Sequence, residues 1–229
     1  MKKGIYITAI LLCFTQLFFP ACKKTPLKYP ACGEGFTLYT PEYKHLGFKK
    51  TWSDGSTTRI YRVCPEGMFI SLLSLKDYNH YLEFPENSIS SEGYVKTTWD
   101  QFDATLAPNN GAFDIDSNYT VITSTTNEAL FFEIETRDLV WEKPAFLMLE
   151  FNLFNTNDCK YCNHSVALDS LTIIRFNPNT MEVLGEVKNP QVFLNPNYAF
   201  NSPAYKNKIG IVSGDIMEPG CYTLAARRK

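Results

Sequence analysis

The sequence predicts an all-β protein, a single antiparallel β-sandwich of jelly-roll type, with a β-barrel as the alternative. About ten short segments show the two-residue alternation or the short apolar runs that are typical of strands. Pro, Asn and Gly turns separate these segments, and the 14% aromatic content is mostly Phe and Tyr, which favour strands. Only residues 99–106 suggest a helical stripe.

The first predicted pair of strands is a hairpin. Residues 48–53 and 57–64 flank Asp54 and Gly55, and this dipeptide favours a two-residue turn because both central positions need positive φ. The remaining predicted strands are 68–75, 94–99, 118–125, 130–135, 145–154, 166–176, 181–187, 208–212 and 221–226.

The middle of the chain shows two kinds of strand pattern. Residues 130–135 alternate, with Glu133 and Glu135 on the more polar face, which predicts a half-buried strand. Residues 145–154 are apolar on both faces, and we therefore expect a central strand covered on both sides. The longest irregular stretch is 189–203, which is rich in Pro and Asn.

The N-terminus has the layout of a secretory signal that ends on a cysteine. Lys2 and Lys3 precede an apolar run over residues 5–19, which is shorter than the roughly 20 residues that span a bilayer, and Ala21 stands before Cys22. We therefore predict a signal peptide over 1–21, a lipidated Cys22 with a tether over 22–35, and one domain over 36–229. Ordinary secretion and an uncleaved anchor are the alternatives.

This N-terminal segment resembles that of Bacteroidetes-type lipoprotein precursors, with Phe19 and Pro20 forming a relaxed version of their recognition box. The resemblance implies a diacylglycerol thioether on Cys22, a membrane as partner, and an outer-membrane location in the cell envelope. Lys23 and Lys24 stand where surface-exported members tend to carry acids, which favours the periplasmic face and leaves the surface face open.

Charge argues against nucleic acid as a partner. The first 21 residues hold two of the 22 Lys and Arg residues and none of the 24 acids, so the mature chain carries a formal charge of −4. Such a chain lacks the basic field that nucleic-acid binding requires.

Cysteine spacing leaves several pairings open. Cys159 and Cys162 form a Cys-x-x-Cys motif with His164 two residues later, and we favour a structural disulfide there over a redox pair, a zinc site or unpaired thiols. Cys32, at the base of the tether, is predicted to pair with another cysteine at a strand end. The candidates for disulfides in the mature chain are Cys32, Cys64, Cys159, Cys162 and Cys221, with Cys64 and Cys221 as the possible partners of Cys32.

Aromatic residues are the candidates for ligand binding. Trp52 lies beside the predicted hairpin turn, and Tyr198, Phe200 and Tyr205 lie in or next to the Pro- and Asn-rich stretch. A flat ring can stack on the apolar face of a pyranose, which makes a glycan one expected ligand class.

A second candidate is a loose calcium site formed by Asp114, Asp116 and Asn118, which offer oxygen ligands at alternate positions. Tyr119 and Thr125 stand where an EF-hand needs Gly and Glu, so an EF-hand is excluded. An Asp/Asn turn before a strand is the alternative, and we predict no resident cofactor.

The sequence offers no catalytic constellation. Gly210 and Ser213 are one residue too far apart for a nucleophile elbow, and His45 and His80 are predicted to be surface residues. We therefore expect a non-enzymatic envelope module that binds a glycan or a protein. The alternatives are a redox or metal-dependent protein using Cys159, Cys162 and His164, and a structural lipoprotein of an outer-membrane assembly.

Overall fold

A computed structural model describes residues 32, 35–39, 57–72, 80–101, 113–122, 130–153, 166–194 and 208–228. These residues form fourteen strands and one 3₁₀ turn, Leu168–Ser170. In chain order the strands are β1 Gly35–Tyr39, β2 Thr57–Val63, β3 Met68–Ser71, β4 Tyr81–Phe84, β5 Gly93–Gln101, β6 Phe113–Asp114, β7 Tyr119–Val121, β8 Leu130–Arg137, β9 Ala145–Leu153, β10 Leu171–Phe176, β11 Val183–Glu186, β12 Lys188–Leu194, β13 Lys208–Ile216 and β14 Gly220–Arg227.

The strands form two antiparallel sheets, and neither sheet closes on itself among the described strands. The large sheet has nine strands in the order β1-β2-β5-β8-β14-β10-β11, with β7 paired to β14 and β6 paired to β7. The small sheet has five strands in the order β12-β13-β9-β4-β3. This arrangement confirms the all-β class and is that of an open sandwich. The jelly-roll topology stays a prediction.

The main core lies between the two sheets because their strands alternate buried and outward residues. Phe132, Ile134 and Leu224 enter it from the large sheet, and Leu147 and Phe151 enter it from the small sheet. Burying large apolar side chains of this kind stabilises a fold by about 1.5–3 kcal/mol each. Among the described elements, no helix has the length and hydropathy that a membrane crossing needs.

A second, smaller cluster lies on the other side of the large sheet. Phe131 and Phe176 meet there edge to face, with ring centroids 5.9 Å apart, and Cys221 and Ala225 of β14 are buried beside them. The strand predicted over 130–135 is therefore present, and its outward face is apolar at Phe131 and polar further along, at the two glutamates.

The predicted hairpin around Asp54 and Gly55 is wrong in its pairing. Residues 48–53 lie outside the described residues, but both edges of β2 are already occupied, by β1 on one side and β5 on the other. The strand β1, which begins at Gly35, the last residue of the predicted tether, is the neighbour that the turn signal could not reveal.

Two further expectations need correction. The strand β5 continues through Gln101, so the suggested helical stripe over 99–106 does not begin at Trp99. The stretch 189–203 is not wholly irregular, because β12 runs to Leu194 as an edge strand. The pairing of β12 with β13 shifts register between Lys188 and Gln191, and Asn189 has a positive φ of 50°. Pro190 lies within this irregularity of an edge strand, where a residue without a backbone N–H is tolerated.

Candidate functional site

The outward side of the small sheet carries four aromatic rings, Phe69, Tyr81, Phe146 and Phe193, which we call the aromatic face. Phe69, Phe146 and Phe193 have exposed fractions of 55%, 39% and 53%. The ring of Tyr81 is partly exposed and lies 4.6 Å from that of Phe69, centroid to centroid. Apolar groups gathered on one exposed face among polar residues mark interaction sites.

One row of this face alternates rings with carboxylates. The strand register places Phe69 opposite Glu83, Glu83 opposite Phe146, and Phe146 opposite Asp215. Neighbouring strands are about 4.8 Å apart, so the two phenylalanine positions are about 10 Å apart with Glu83 between them. At the end of the row, Asn189 Nδ2 donates to Asp215 Oδ2 at 2.7 Å. The row therefore offers apolar surfaces separated by hydrogen-bond acceptors.

The local sequence of β9 explains why Phe146 faces outward. Its alternate residues Ala145, Leu147, Leu149 and Phe151 are all buried in the main core. Since successive side chains of a strand point to opposite faces, this burial directs Phe146 away from the core. The expectation that this strand is covered on both sides is therefore wrong at Phe146, although β9 is central in its sheet.

A cleft of about 490 Å³ lies on the outward side of the large sheet. Its walls are apolar at Pro178, Leu184 and Pro219, and one side carries Glu133 and Glu135. The carboxylate of Glu135 accepts a hydrogen bond from Lys96 Nζ at 2.5 Å. This cleft lies on the opposite side of the sandwich from the aromatic face.

A polar cluster around Glu186 ties four strands of the large sheet together. Arg227 Nε donates to Oε1 of Glu186 at 2.8 Å and Arg227 Nη2 donates to Oε2 at 2.5 Å, so the guanidinium binds both carboxylate oxygens. Tyr119 Oη donates to Oε1 at 2.7 Å and Thr172 Oγ1 to Oε2 at 3.1 Å. Glu186 lies on β11 and its three partners come from β7, β10 and β14, and a bidentate charge-assisted bond such as that from Arg227 is strong.

Titration of this cluster follows from its contacts. Hydrogen bonding from Arg227 holds the pKa of Glu186 below its usual value, against the opposing effect of burial. Burial, together with the bond to Glu186, raises the pKa of Tyr119 to about 12. The charged carboxylate and the neutral phenol therefore persist across the physiological range, which suits a structural role.

Replacing Glu186 is expected to destabilise the fold. Glu186→Ala leaves the Arg227 guanidinium and two hydroxyls without their shared acceptor, so the free energy of unfolding should fall by about 2–3 kcal/mol. The matched control is Glu135→Ala, which breaks the more exposed pair with Lys96 and should cost less than about 1 kcal/mol. Urea denaturation of both variants measures the two losses, and equal losses would contradict the structural role of Glu186.

The structure joins Cys32 to Cys64, one of the two pairings that the sequence left open, with Cα atoms 6.0 Å apart. Cys221, the other possible partner, is buried at the start of β14. Within the described ranges, Cys32, Cys64 and Glu92 are also the one group of three His, Cys, Asp or Glu side chains whose ligand atoms lie within 4.8 Å of one another. Because both sulfurs are in the disulfide, this group is not a thiolate metal site.

His80 is a core residue, which sequence reasoning missed. It is 1% exposed, and its ring lies 5.0 Å from that of Phe132. Its Nδ1 accepts the backbone N–H of Glu150 at 3.1 Å, and burial lowers its pKa to about 3. The prediction of a surface histidine is therefore wrong, because the neutral ring is buried in the sandwich.

The predicted calcium loop contains a backbone turn. Asp116 Oδ1 accepts the N–H groups of Asn118 at 2.6 Å and Tyr119 at 3.0 Å, which is the alternative that the sequence offered for this segment. The side chain of Asp114 lies outside the described residues, so a calcium site formed by Asp114, Asp116 and Asn118 stays a prediction.

Several predicted site residues lie outside the described residues, and their roles stay predictions. They are Cys22, the binding candidates Trp52, Tyr198, Phe200 and Tyr205, and the loop residues Cys159, Cys162 and His164.

The aromatic face was not found from the sequence. Phe69, Phe146 and Phe193 are far apart in the chain, and only the strand register brings them to one face. The sequence matches no protein-family model and none of the curated proteins.

Proposed function

We propose that this chain is a lipid-anchored, non-enzymatic module of the cell envelope that binds a glycan through the aromatic face. The observation that carries the proposal is the row of Phe69, Glu83, Phe146 and Asp215, in which exposed rings alternate with carboxylates across four strands. Binding needs apolar contact area together with a few placed polar groups, and this row supplies both.

The chemistry of a saccharide fits such a row. The C–H face of a pyranose can lie on the ring of Phe69 or Phe146, while hydroxyls at the edge of the sugar donate to Glu83 and Asp215. A hydrogen bond from a hydroxyl to an ionised carboxylate is about twice as strong as one between neutral groups. The rings would therefore supply affinity for the saccharide, and the carboxylates would fix its orientation on the aromatic face.

The position of the carboxylates favours a glycan over a protein partner. Glu83 lies between Phe69 and Phe146, in the middle of the row and not at its rim. The central part of a protein–protein interface is depleted of charged residues, since burying an unpaired carboxylate is costly. A hydrated saccharide keeps these carboxylates hydrogen-bonded to hydroxyls and water.

The anchor is the second part of the proposal. It rests on the signal-like N-terminus and on Cys22, which places the module at the outer membrane in the way that the resemblance to Bacteroidetes-type lipoproteins implies. The redox or metal-dependent alternative depends on Cys159, Cys162 and His164, and the assembly alternative depends on a protein partner.

Removing rings from the aromatic face is expected to weaken glycan binding without unfolding the domain. In Phe69→Ser with Phe146→Ser, two exposed rings are lost, and binding to a saccharide should weaken about tenfold or more. Affinity electrophoresis through gels containing envelope polysaccharide measures this as lost retardation of the double variant.

The matched control is Leu184→Ser, which removes an apolar side chain of 50% exposure from the other side of the sandwich. This variant should be retarded like the natural protein. Equal retardation of all three proteins, or loss of retardation in the control alone, would contradict the assignment to the aromatic face.

A further inference from the structure

We infer that the glycan bound by the aromatic face is an extended, β-linked and uncharged polysaccharide chain, which lies across the strands of the small sheet and is recognised along its length. The inference rests on the glycan binding that is the proposed function. It adds the class of glycan, which follows from the spacing of the row of rings and carboxylates, from the position of its ends and from the charge at its centre.

The row repeats every two strands. The register places Phe69 two strands from Phe146 and Glu83 two strands from Asp215, so rings and carboxylates recur with the same period. One strand spacing is about 4.8 Å, which is close to the length of one pyranose unit in an extended chain. In a β-1,4-linked chain the units alternate in orientation, so every second unit presents the same face. Such a chain can therefore stack one unit on Phe69 and the next unit of the same orientation on Phe146.

The linkage decides whether a chain can follow the row. The four positions of the row span three strand spacings, or about 14 Å. An α-1,4-linked glucan coils and leaves a surface of this length, whereas an extended β-linked chain stays in contact with it. Neighbouring strands also rotate by about 20–25° relative to each other, which a single dissolved chain can follow and a stiff crystalline fibre cannot. We therefore expect a single, dissolved, β-linked chain.

Both ends of the row lie at edges of the small sheet, as far as the described strands define it. Phe69 belongs to the edge strand β3, and at the other end Asp215 accepts its hydrogen bond from Asn189 of the edge strand β12. A chain longer than the row can therefore continue past either edge. This arrangement favours recognition of an internal segment of the polysaccharide over recognition of a chain terminus.

The centre of the row selects against acidic sugars. Glu83 has a phenylalanine opposite it on each neighbouring strand, Phe69 on β3 and Phe146 on β9. A sugar stacked on either ring therefore lies beside the carboxylate of Glu83. Hydroxyl and acetamido groups can donate hydrogen bonds to this carboxylate, whereas it repels a uronate or a phosphate group. The chain is therefore expected to be uncharged.

Matched oligosaccharides test this class of ligand. Isothermal titration calorimetry measures the affinity of the mature protein, in a detergent without a sugar headgroup, for β-1,4-linked disaccharides and hexasaccharides of glucose, N-acetylglucosamine, mannose and xylose. In the series that binds most tightly, the hexasaccharide should bind at least about tenfold more tightly than the disaccharide, because only the hexasaccharide reaches both rings. The α-1,4-linked hexasaccharide of glucose, and the β-linked but acidic hexasaccharide of mannuronate, should each bind at least about tenfold more weakly than the best neutral β-linked hexasaccharide.

The variant Phe69→Ser tests whether the chain spans the row. It leaves one ring in the row, so the ratio of the two affinities should fall to about threefold or less. The matched control is Phe193→Ser, which removes an exposed ring from the same face but outside the row. Phe193 stands opposite Ile211, four residues along β13 from Asp215, and its loss should leave the ratio unchanged.

The outcomes separate the class of glycan from glycan binding itself. Equal affinity for disaccharide and hexasaccharide, an unchanged ratio in Phe69→Ser, or tightest binding of the α-linked or the acidic hexasaccharide would overturn the inference and leave glycan binding in place. Binding of other envelope glycans, with none of the β-linked hexasaccharides bound, would have the same consequence. If no glycan of any class is bound, the proposed function fails together with the inference.

Discussion

Lowering the pH from about 7 to about 4 is expected to destabilise this protein strongly through His80. The folded-state pKa of His80 is about 3, against 6.5 for an ordinary histidine, because the ring is buried. Between these two values the unfolded chain binds a proton that the folded chain does not, so stability is lost as the pH falls. The loss is about 1.4 kcal/mol per pH unit, so it is about 3–4 kcal/mol at pH 4 and approaches about 4–5 kcal/mol as the pH nears 3.

His80→Asn isolates this contribution. The amide oxygen of asparagine can accept the N–H of Glu150 in place of Nδ1, while the titrating group is removed. The variant should be less stable near neutral pH, because the ring leaves a cavity in the core. Its free energy of unfolding should depend less on pH than that of the natural protein. Urea titrations at several pH values measure both slopes, and parallel slopes would show that His80 is not the cause.

Removing the Cys32–Cys64 disulfide is expected to cost about 3–4 kcal/mol, the second largest effect. The two cysteines are 32 residues apart, and a loop of that length restricts the unfolded chain considerably. The variant Cys32→Ser with Cys64→Ala suits this test, because Cys32 is exposed and Cys64 is buried. Guanidinium unfolding under non-reducing conditions compares it with the natural protein.

Reduction supplies the second arm of that experiment. A phosphine reductant should lower the stability of the natural protein at least as far as the double substitution does. Any additional loss on reducing the double variant would report a second disulfide, for which Cys159 and Cys162 are the predicted pair. Natural protein that unfolds at the same guanidinium concentration before and after reduction would contradict the stabilising role of Cys32–Cys64.

The strands that the sequence predicts correctly are those with a strong pattern of their own. β8 alternates and β9 is a long apolar run, and both lie inside their sheets. β12 was not predicted because Asn189 and Pro190 are typical of loops, whereas an edge strand with a register shift tolerates both residues. β1 was not predicted, because five residues that begin at the end of the predicted tether carry too little periodicity to be distinguished from it.

The sequence predicts which residues of one strand share a face, but not which strands bring their residues together in the candidate site. Alternation in β9 shows that Phe146 and Met148 share a face, but it does not show whether another layer covers that face. The row from Phe69 to Asp215 depends on the pairing of four strands, which is long-range information. His80 was misplaced for a related reason, since its burial is decided by the sheets around it and not by its neighbours in the chain.

An array of immobilised envelope glycans, probed with the mature protein and with Phe146→Ser, tests glycan binding by the aromatic face. We expect the natural protein to be retained on a subset of the glycans, and the variant to lose most of this binding while keeping its near-ultraviolet circular dichroism. Retention of both proteins on the same glycans to the same extent, or of neither protein on any glycan, would contradict glycan binding by this face.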